Sequence, residues 1–401
     1  MQTLLANLFN GVLYLGSIGG VKMLVMLAIA GILIYLAIAK DYEPSLLLPI
    51  GFGAILANLP PIMGAVSSAV LGTSAEPGFL KILYNAGIAN ELFPILIFIA
   101  IGAMCDFAPL LKDPSMIFFG AAAQFGIFIT FLIALFTVGP IFGETNPHEI
   151  AKISAAIGII GAADGPTTLY VANYFNLSKY VAPISVAAYS YMSLVPIIQP
   201  PVIRALTTKA ERQIHMTYPV GENNVSKVTL ILLPIVVTVV AGIIVPMSVP
   251  LVGSLMFGNL LRACGVLDRL SQTAQNELAS LVTILLGLTI GSTMVADNFL
   301  RWDTLLILAL GLFAFVFDTA GGVLFAKFVN LFRKEKINPM IGAAGISAFP
   351  MSARVIQKMA KEDDPYNFVL MQAISANVSG QIGSIVAGSV LITLVSMMVG
   401  K

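Results

Sequence analysis

The 401-residue chain is poor in charge and in metal-binding side chains: 10% of its residues are charged, and it has two cysteines and two histidines. Soluble domains carry about 25% charged residues, so little of this chain can form a water-soluble domain. A net charge of +1 provides no basic surface for nucleic acid, and we expect no nucleic-acid partner. Without a cluster of His and Cys, we also expect no zinc, haem or iron–sulfur centre.

Long apolar runs fill the chain, which is 58% hydrophobic with a mean hydropathy of +0.94. Because a membrane-spanning helix needs about 20 apolar residues, we predict an all-α polytopic membrane protein. The predicted spans are about 21–39, 45–59, 90–106, 116–140, 180–206, 226–247, 249–265, 274–296, 303–331 and 366–398. Residues 1–20 lack a basic n-region and a clear cleavage site, which favours an uncleaved N-terminal interfacial helix.

Two halves of the chain resemble each other weakly. "NELFPILIFIAIGAMCDF" at Asn90 is similar to "NELASLVTILLGLTIGSTM" at Asn276, and "GAADGPTTLY" at Gly161 aligns with "GISAFPMSAR" at Gly345. These matches predict two transmembrane repeats, 21–207 and 226–401, joined by a cytoplasmic linker at 208–225 that is flanked by basic residues.

Each predicted repeat contains about five spans and one segment broken by glycine and proline, at 149–176 and at 338–358. If each broken segment is a re-entrant hairpin, five spans per repeat give the two repeats opposite orientations. We therefore predict inverted repeats, with a fully spanning broken helix as the alternative for either segment. Inverted repeats with discontinuous helices place their ion sites where the breaks meet, near the bilayer midplane.

One acid lies in the first broken segment, in "IIGAADGPTTLYVANYF". An ionised carboxylate in hydrocarbon costs at least about 2.5 kcal/mol, so Asp164 should have a partner or a function. Na+ or a proton is the partner that we predict, with hydroxyl oxygens from Thr167 and Thr168. The alternative is a protonated or paired Asp164 that only fixes packing. Asp318 is a second intramembrane acid, predicted to be an ion ligand or the partner of a buried cation.

Two further groups of polar residues lie near the ends of the repeats. In "NVSGQIGS", Asn377 and Ser384 share one helix face, and Asn377 aligns with Tyr191 of the first half. A packing face of small residues is the alternative explanation for the glycines of that motif. In the second broken segment, Arg354 offers a fork of donors that suits a carboxylate or carbamate. An interfacial arginine that sets topology is the alternative there.

Four motifs in one order, "GAADGPT", "AAYSYMSLVPIIQPP", "GISAFPMSARV" and "NVSGQIGS", resemble the beta subunit of the biotin-dependent sodium-pumping decarboxylases. That family includes the oxaloacetate, methylmalonyl-CoA and glutaconyl-CoA decarboxylases, and the resemblance extends from about residue 20 onward. It implies a subunit of the bacterial cytoplasmic membrane that decarboxylates carboxybiotin and exports Na+. The implied partners are a carboxyltransferase subunit, a biotin carrier protein that bears the carboxybiotin, a small single-span membrane subunit and further copies of this chain.

The resemblance also assigns site residues. The essential aspartate of the family falls on Asp164 and its tyrosine on Tyr191, and its later polar residues fall on Asn338, Gly342, Ser347, Arg354, Asn377 and Ser384. On this basis we expect Na+ at Asp164, Asn377 and Ser384. We expect Arg354 and Ser347 to hold carboxybiotin and Tyr191 to relay a proton, with Asn338 and Gly342 in the same catalytic set. A Na+- or H+-coupled secondary transporter of a small carboxylate is the rival interpretation.

Overall fold

The computed structural model describes residues 14–60, 71–72, 76–216 and 225–400. These residues form helices and, apart from one isolated bridge between Gly72 and Pro77, no β-structure, which confirms the all-α prediction. The predicted interfacial helix lies mostly outside the described residues. The predicted linker is described only to Met216 and from Val225 onward.

The helices of the first half follow the predicted spans closely. They are α1 (Ile18–Lys40), α2 (Pro44–Asn58), α3 (Phe79–Leu83), α4 (Leu92–Met104), α5 (Ala108–Lys112), α6 (Ile117–Ala122), α7 (Phe125–Phe142), α8 (Pro147–Gly158), α9 (Gly165–Tyr174), α10 (Ser178–Ser193) and α11 (Val195–Leu206), followed in the linker by α12 (Lys209–Arg212).

The second half begins at Lys227 and ends with one long helix. Its helices are α13 (Lys227–Ile244), α14 (Val249–Ala263), α15 (Asp268–Thr273), α16 (Ala279–Thr293), α17 (Ala296–Phe299), α18 (Trp302–Phe332), α19 (Met340–Ala343), α20 (Met351–Asp363) and α21 (Leu370–Val399). By length and composition, six helical stretches of the described chain can cross a membrane, or up to eight if each of two bent pairs is one span. The bent pairs, α3 with α4 and α10 with α11, turn by 62° and 68°.

Each half packs one of its helices against a helix of the other half. Helix α2 lies against α16, and α14 lies against α4, with glycines at both contacts. A Cβ on Gly53 would overlap the carbonyl of Leu288, and a Cβ on Gly102 would overlap the carbonyl of Leu255. Since α2 corresponds to α14 and α4 to α16 in the predicted repeats, both halves form this contact in the same way. The inverted relation of the repeats stays a prediction.

The first broken segment folds back on itself as a helical hairpin. Helix α8 continues through a 3-10 turn to Ala162, and α9 begins at Gly165. The start of α8, at Glu149, and the end of α9, at Tyr174, line the same small cleft. The chain therefore turns back at its break.

The second broken segment is also a hairpin. Asn338 precedes α19 and Asn367 follows α20, and both side-chain amides donate to the carbonyls of Arg212 and Ile214 at 2.7–3.2 Å. Both ends of this hairpin are thus attached to the same part of the linker. The two ends of each segment lie close together, which favours the hairpin over the spanning alternative; the re-entrant position of both segments in a membrane stays a prediction.

The hairpins enter the protein from opposite ends of α21. Helix α21 has 30 residues and is about 45 Å long. Its first residues follow Asn367 at the linker end, whereas Ser396 and Val399 line the cleft at the base of the first hairpin. The tips of the two hairpins consequently meet beside the middle of α21.

Candidate functional site

The hairpin tips are joined by their backbones. The amide of Ser347 in the second hairpin donates to the carbonyl of Ala162 in the first, at 3.0 Å. Ala163 takes a left-handed conformation, with φ 51°, which ends the 3-10 turn and directs the chain into Asp164. Asp164 then caps α9 by accepting the amide of Thr167 at 3.2 Å. Local capping chemistry therefore fixes the acid at the crossing point.

Asp164 is the centre of a buried hydroxyl cluster and is 3% exposed. Its Oδ2 accepts hydrogen bonds from the hydroxyls of Thr167 at 2.7 Å, Ser384 at 2.7 Å and Ser347 at 3.1 Å. The hydroxyls of Ser347 and Ser384 are 3.0 Å apart. The first hairpin, the second hairpin and α21 thus each contribute oxygen atoms to one site.

Asn377 supports this site from behind. Its side-chain amide donates to the carbonyls of Ala344 and Ile346, at 3.1 and 2.7 Å, and so holds the break of the second hairpin against α21. Asn377 contacts the residue before Ser347 and does not contact Asp164 itself. The buried Oδ1 of Asn377 has no hydrogen-bond partner, and the expectation that Asn377 is a Na+ ligand together with Asp164 and Ser384 stays a prediction.

A cavity of about 550 Å³ extends from Asp164 to the linker end of the protein. Tyr189, Ser347 and Gln381 line its inner end, and Glu43, Ser45 and Gln275 line its outer end. The Tyr189 ring lies against Gly165, where a Cβ would overlap it, and the buried Tyr189 hydroxyl has no hydrogen-bond partner. Glu43 and Asp164 are the charged residues of this lining, so the cavity is acidic.

Three of the predicted residues contact the backbone of other elements, and their predicted catalytic roles stay predictions. Tyr191 donates its hydroxyl to the carbonyl of Leu308, at 2.5 Å, instead of facing the cavity. Asn338 fastens the start of the second hairpin to the linker. Gly342 packs directly on the backbone of Gly322, where a side chain would not fit. None of the three lies within hydrogen-bond distance of Asp164.

Arg354 and Ser347 face different environments. Arg354 is exposed on α20 and lines a separate surface pocket of about 450 Å³, together with Gln357, Lys358, Lys361 and one acid, Glu362, which pairs with Arg204. Lys361 also lies over the ring of Phe368, 4.7 Å from its centroid. The structure therefore does not bring Arg354 and Ser347 into one binding site. It places Ser347 in the acidic cavity and Arg354 in a basic pocket.

The linker beside this basic pocket is held by ion pairs. Arg212 contacts Asp363 at 2.7 Å, and His215 contacts Asp364 at 2.7 Å. The backbone amide of Tyr366 and the His215 side chain hold the pKa of Asp364 below its usual range. Both acids lie at the end of α20, so the linker fixes the end of the helix that carries Arg354.

Asp318 is a helix cap rather than a ligand of the Asp164 cluster. It is fully buried, and its Oδ1 accepts the amide of Ile127 near the start of α7, at 3.1 Å. Its Oδ2 lies beside Gly161 in the first hairpin, where a Cβ would come within 2.6 Å of it. No cation pairs with Asp318 in the described part of the chain.

Sequence reasoning missed Gln381. Its side-chain amide donates to the carbonyl of Ser347, and the hydroxyl of Ser384 also contacts the Gln381 carbonyl at 3.1 Å. The signal was present, because Gln381 is four residues after Asn377 and therefore lies on the helix face that Asn377 shares with Ser384. The prediction for this motif considered its glycines and not Gln381.

The site can hold a hard monovalent cation. Carboxylate, hydroxyl and carbonyl oxygens are the ligands that hard cations prefer, and these are the groups around Asp164. The three hydroxyls can turn their lone pairs toward a cation, because each hydroxyl is both donor and acceptor. The fold and this site define a polytopic membrane protein with a buried acid, surrounded by oxygen ligands, at its core.

Comparison with known proteins identifies the family. Residues 22–395 match the sequence profile of the family described as "Na+-transporting oxaloacetate decarboxylase beta subunit". The chain belongs to this family. It is a multi-pass bacterial membrane protein and a subunit of the class that couples decarboxylation to Na+ export. Family membership favours this class over the carboxylate transporter.

Three relatives with different names are similar to the chain at nearly equal levels. The methylmalonyl-CoA decarboxylase subunit beta of Propionigenium modestum is 47% identical, over 92% of this chain and 94% of the relative. The glutaconyl-CoA decarboxylase subunit beta of Acidaminococcus fermentans is 45% identical, over 92% of each chain. The oxaloacetate decarboxylase beta chain of Klebsiella pneumoniae is 43% identical, over 94% of this chain and 96% of the relative.

Proposed function

We propose that this chain decarboxylates carboxybiotin and moves Na+ outward through the Asp164 site. The observation that carries the proposal is the meeting of two hairpin tips and α21 at one buried carboxylate with three hydroxyl partners. Na+ is the transported ion, and Asp164, Ser347, Ser384 and Thr167 are its proposed protein ligands. Asn377 and Gln381 hold the tip that carries Ser347. Asn377 also keeps its proposed place in the Na+ site, since its buried Oδ1 has no hydrogen-bond partner.

The carboxylate of carboxybiotin belongs, in this proposal, to the basic pocket. Arg354, Lys358 and Lys361 supply three positive charges there, whereas the cavity beneath Asp164 is lined by acids that repel an anion. Decarboxylation breaks the bond between the biotin nitrogen and the carboxylate carbon. CO2 leaves, the electron pair stays on nitrogen, and that nitrogen takes up one proton. Arg354 would orient the carboxylate with its planar fork of donors.

The other subunits are proposed on the same basis. We infer that a biotin carrier brings carboxybiotin to the linker end, that a carboxyltransferase loads it and that a small single-span subunit joins the membrane complex. We also propose that the chain forms a homo-oligomer in the membrane. The three relatives are named for different substrates at 43–47% identity, which supports a choice of acyl substrate outside this chain.

The direct test is Asp164→Asn in the purified, reconstituted complex. We expect Na+-dependent decarboxylation and 22Na+ uptake into vesicles to fall by about 100-fold or more, because the amide removes the negative charge at the centre of the site. The variant complex should still assemble, as judged by gel filtration. Ser389→Ala is the matched control, since Ser389 lies on α21 and bonds only to the helix carbonyl of Ile385, at 2.8 Å.

Two results would contradict this proposal. One is full Na+-dependent turnover by an assembled Asp164→Asn complex. The other is an equal loss of activity in Ser389→Ala, which would show that the effect is not specific to the Asp164 site.

A further inference from the structure

We infer that Na+ reaches Asp164 through the acidic cavity and that Glu43 is the acid that captures it at the mouth. This inference rests on the proposed function, because it concerns access to the same cation site. The cavity connects the two acids without a lysine or arginine in its lining, in the part of the chain that the structure describes. A cation gains from both charges along this route, whereas an anion is repelled by both.

Polar groups are spaced along the cavity between the two acids. Gln275 lies at the mouth, and Ser280 and Thr283 follow on the cavity face of α16. Thr283 donates its hydroxyl to the carbonyl of Ala279 at 2.6 Å, which leaves its lone pairs free to face the cavity. From Ala279 to Leu286, the last cavity residue on α16, the helix rises about 10 Å. These oxygens can replace water around a cation that moves inward.

The inner end holds an independent sign of a missing ligand. Tyr189 is 1% exposed and lines the cavity, yet its hydroxyl has no partner. A buried hydroxyl without a hydrogen bond costs about 1–3 kcal/mol, so a group that occupies the cavity beside Asp164 should complete it. The hydrated cation that we propose would supply that partner through its water.

Glu43 is held at the mouth by its backbone. It is a non-glycine residue with φ 37°, and it caps α2, where its carbonyl accepts the amides of Leu46 and Leu47 at 3.0 Å. The Ser45 hydroxyl donates to its carboxylate at 2.9 Å. No basic side chain pairs with Glu43 among the described residues, so its charge is available to an incoming cation.

The first test compares Glu43→Gln with Asp41→Asn in the intact complex. Asp41 is the matched control, because it also has a positive φ, 56°, and lies two residues away but outside the cavity lining. At low ionic strength we expect Glu43→Gln to raise the half-saturating Na+ concentration about three- to fivefold without lowering the maximal rate. The shift should shrink when choline chloride is added. Asp41→Asn should change it by less than about 1.5-fold.

The second test measures access without activity. In a chain whose two cysteines have been replaced, Thr283→Cys should react with a membrane-impermeant thiol reagent from the linker side, and Na+ should slow the reaction. Thr293→Cys is the control, because Thr293 lies at the other end of α16, outside the cavity, and makes the same kind of bond to its own helix. It should react slowly and without an effect of Na+.

The outcomes separate the two levels of inference. If Asp164→Asn keeps Na+-dependent turnover, the proposed function fails. If Asp164→Asn is inactive but Glu43→Gln matches Asp41→Asn, or Thr283→Cys reacts no faster than Thr293→Cys, only this access route is wrong. A fall in maximal rate without a shift in half-saturating Na+ would likewise overturn the capture role of Glu43.

Discussion

The cavity below Asp164 and the pocket around Arg354 differ in the sign of their charges and in their exposure. The cavity ends at a buried acid with three hydroxyl partners, and the charged residues of its lining are acidic. The pocket lies on the surface, and three bases, Arg354, Lys358 and Lys361, outnumber the one acid of its described lining, Glu362, which pairs with Arg204. A cation is therefore expected in the cavity and an anion in the pocket, although Ser347 and Arg354 are only seven residues apart in the sequence.

The second hairpin connects the two regions. Its tip places Ser347 against Asp164, and the first turn of α20, a few residues later, places Arg354 in the basic pocket. The far end of α20 is fixed to the linker through Arg212 and Asp363. A shift of α20 when an anion binds or leaves would therefore move Ser347 relative to Asp164. In the proposed mechanism, Na+ binding and carboxybiotin binding could then be coupled without a shared binding site, because one hairpin contacts both regions.

The largest effect after loss of Asp164 is expected for Ser384→Ala. Removal of a hydroxyl that is 2.7 Å from Asp164 should raise the half-saturating Na+ concentration about 10- to 150-fold, since hydrogen bonds to charged groups contribute about 1.5–3 kcal/mol. The KM for free carboxybiotin should stay the same. Initial rates of CO2 release, measured against each substrate in turn, test both statements. If only the KM for carboxybiotin changed, the assignment of Ser384 to the cation site would be wrong.

For Arg354→Gln we expect a smaller effect, on the KM for carboxybiotin instead of on the half-saturating Na+ concentration. Its guanidinium is exposed, so solvent screens its interaction, and we expect the KM for free carboxybiotin to rise about five- to tenfold. The half-saturating Na+ concentration should not change. Arg333→Gln is a control at the same end of the protein, because Arg333 contacts Ser115 and lies outside the pocket. If Arg354→Gln weakened Na+ binding as strongly as Ser384→Ala, the separation of the two regions would be wrong.

Much of the fold could be predicted, because its strongest signals are local. Apolar runs predicted the spans, and the glycines and prolines around Asp164 predicted a break where the structure has one. The energetic cost of an acid in hydrocarbon marked Asp164 itself as the functional residue to examine. These inferences needed no knowledge of which helix faces which.

The assignments that differ from the structure depended on rotation and packing. Tyr189 and Tyr191 are two residues apart on α10, so their side chains point to nearly opposite sides, and Tyr191 meets α18 while Tyr189 meets the cavity. Ser347 and Arg354 belong to one motif but are separated by the start of α20 at Met351. The resemblance assigned Tyr191, Ser347 and Arg354 to one catalytic set, and these roles stay predictions. The packing shows only that the three side chains lie in different surroundings in this structure.

The smallest predicted effect, for Lys358→Gln, gives the most specific test of the basic pocket. Lys358 is exposed and lies one helical turn after Arg354, so it should add a long-range attraction rather than a fixed hydrogen bond. We expect a rise of about two- to threefold in the KM for carboxybiotin at low ionic strength. The rise should vanish as salt shortens the Debye length below about 5 Å. Lys334→Gln, exposed at the same end but outside the pocket, should show neither effect. A salt-independent change in Lys358→Gln would mean that the lysine binds the carboxylate directly, in the manner assigned to Arg354.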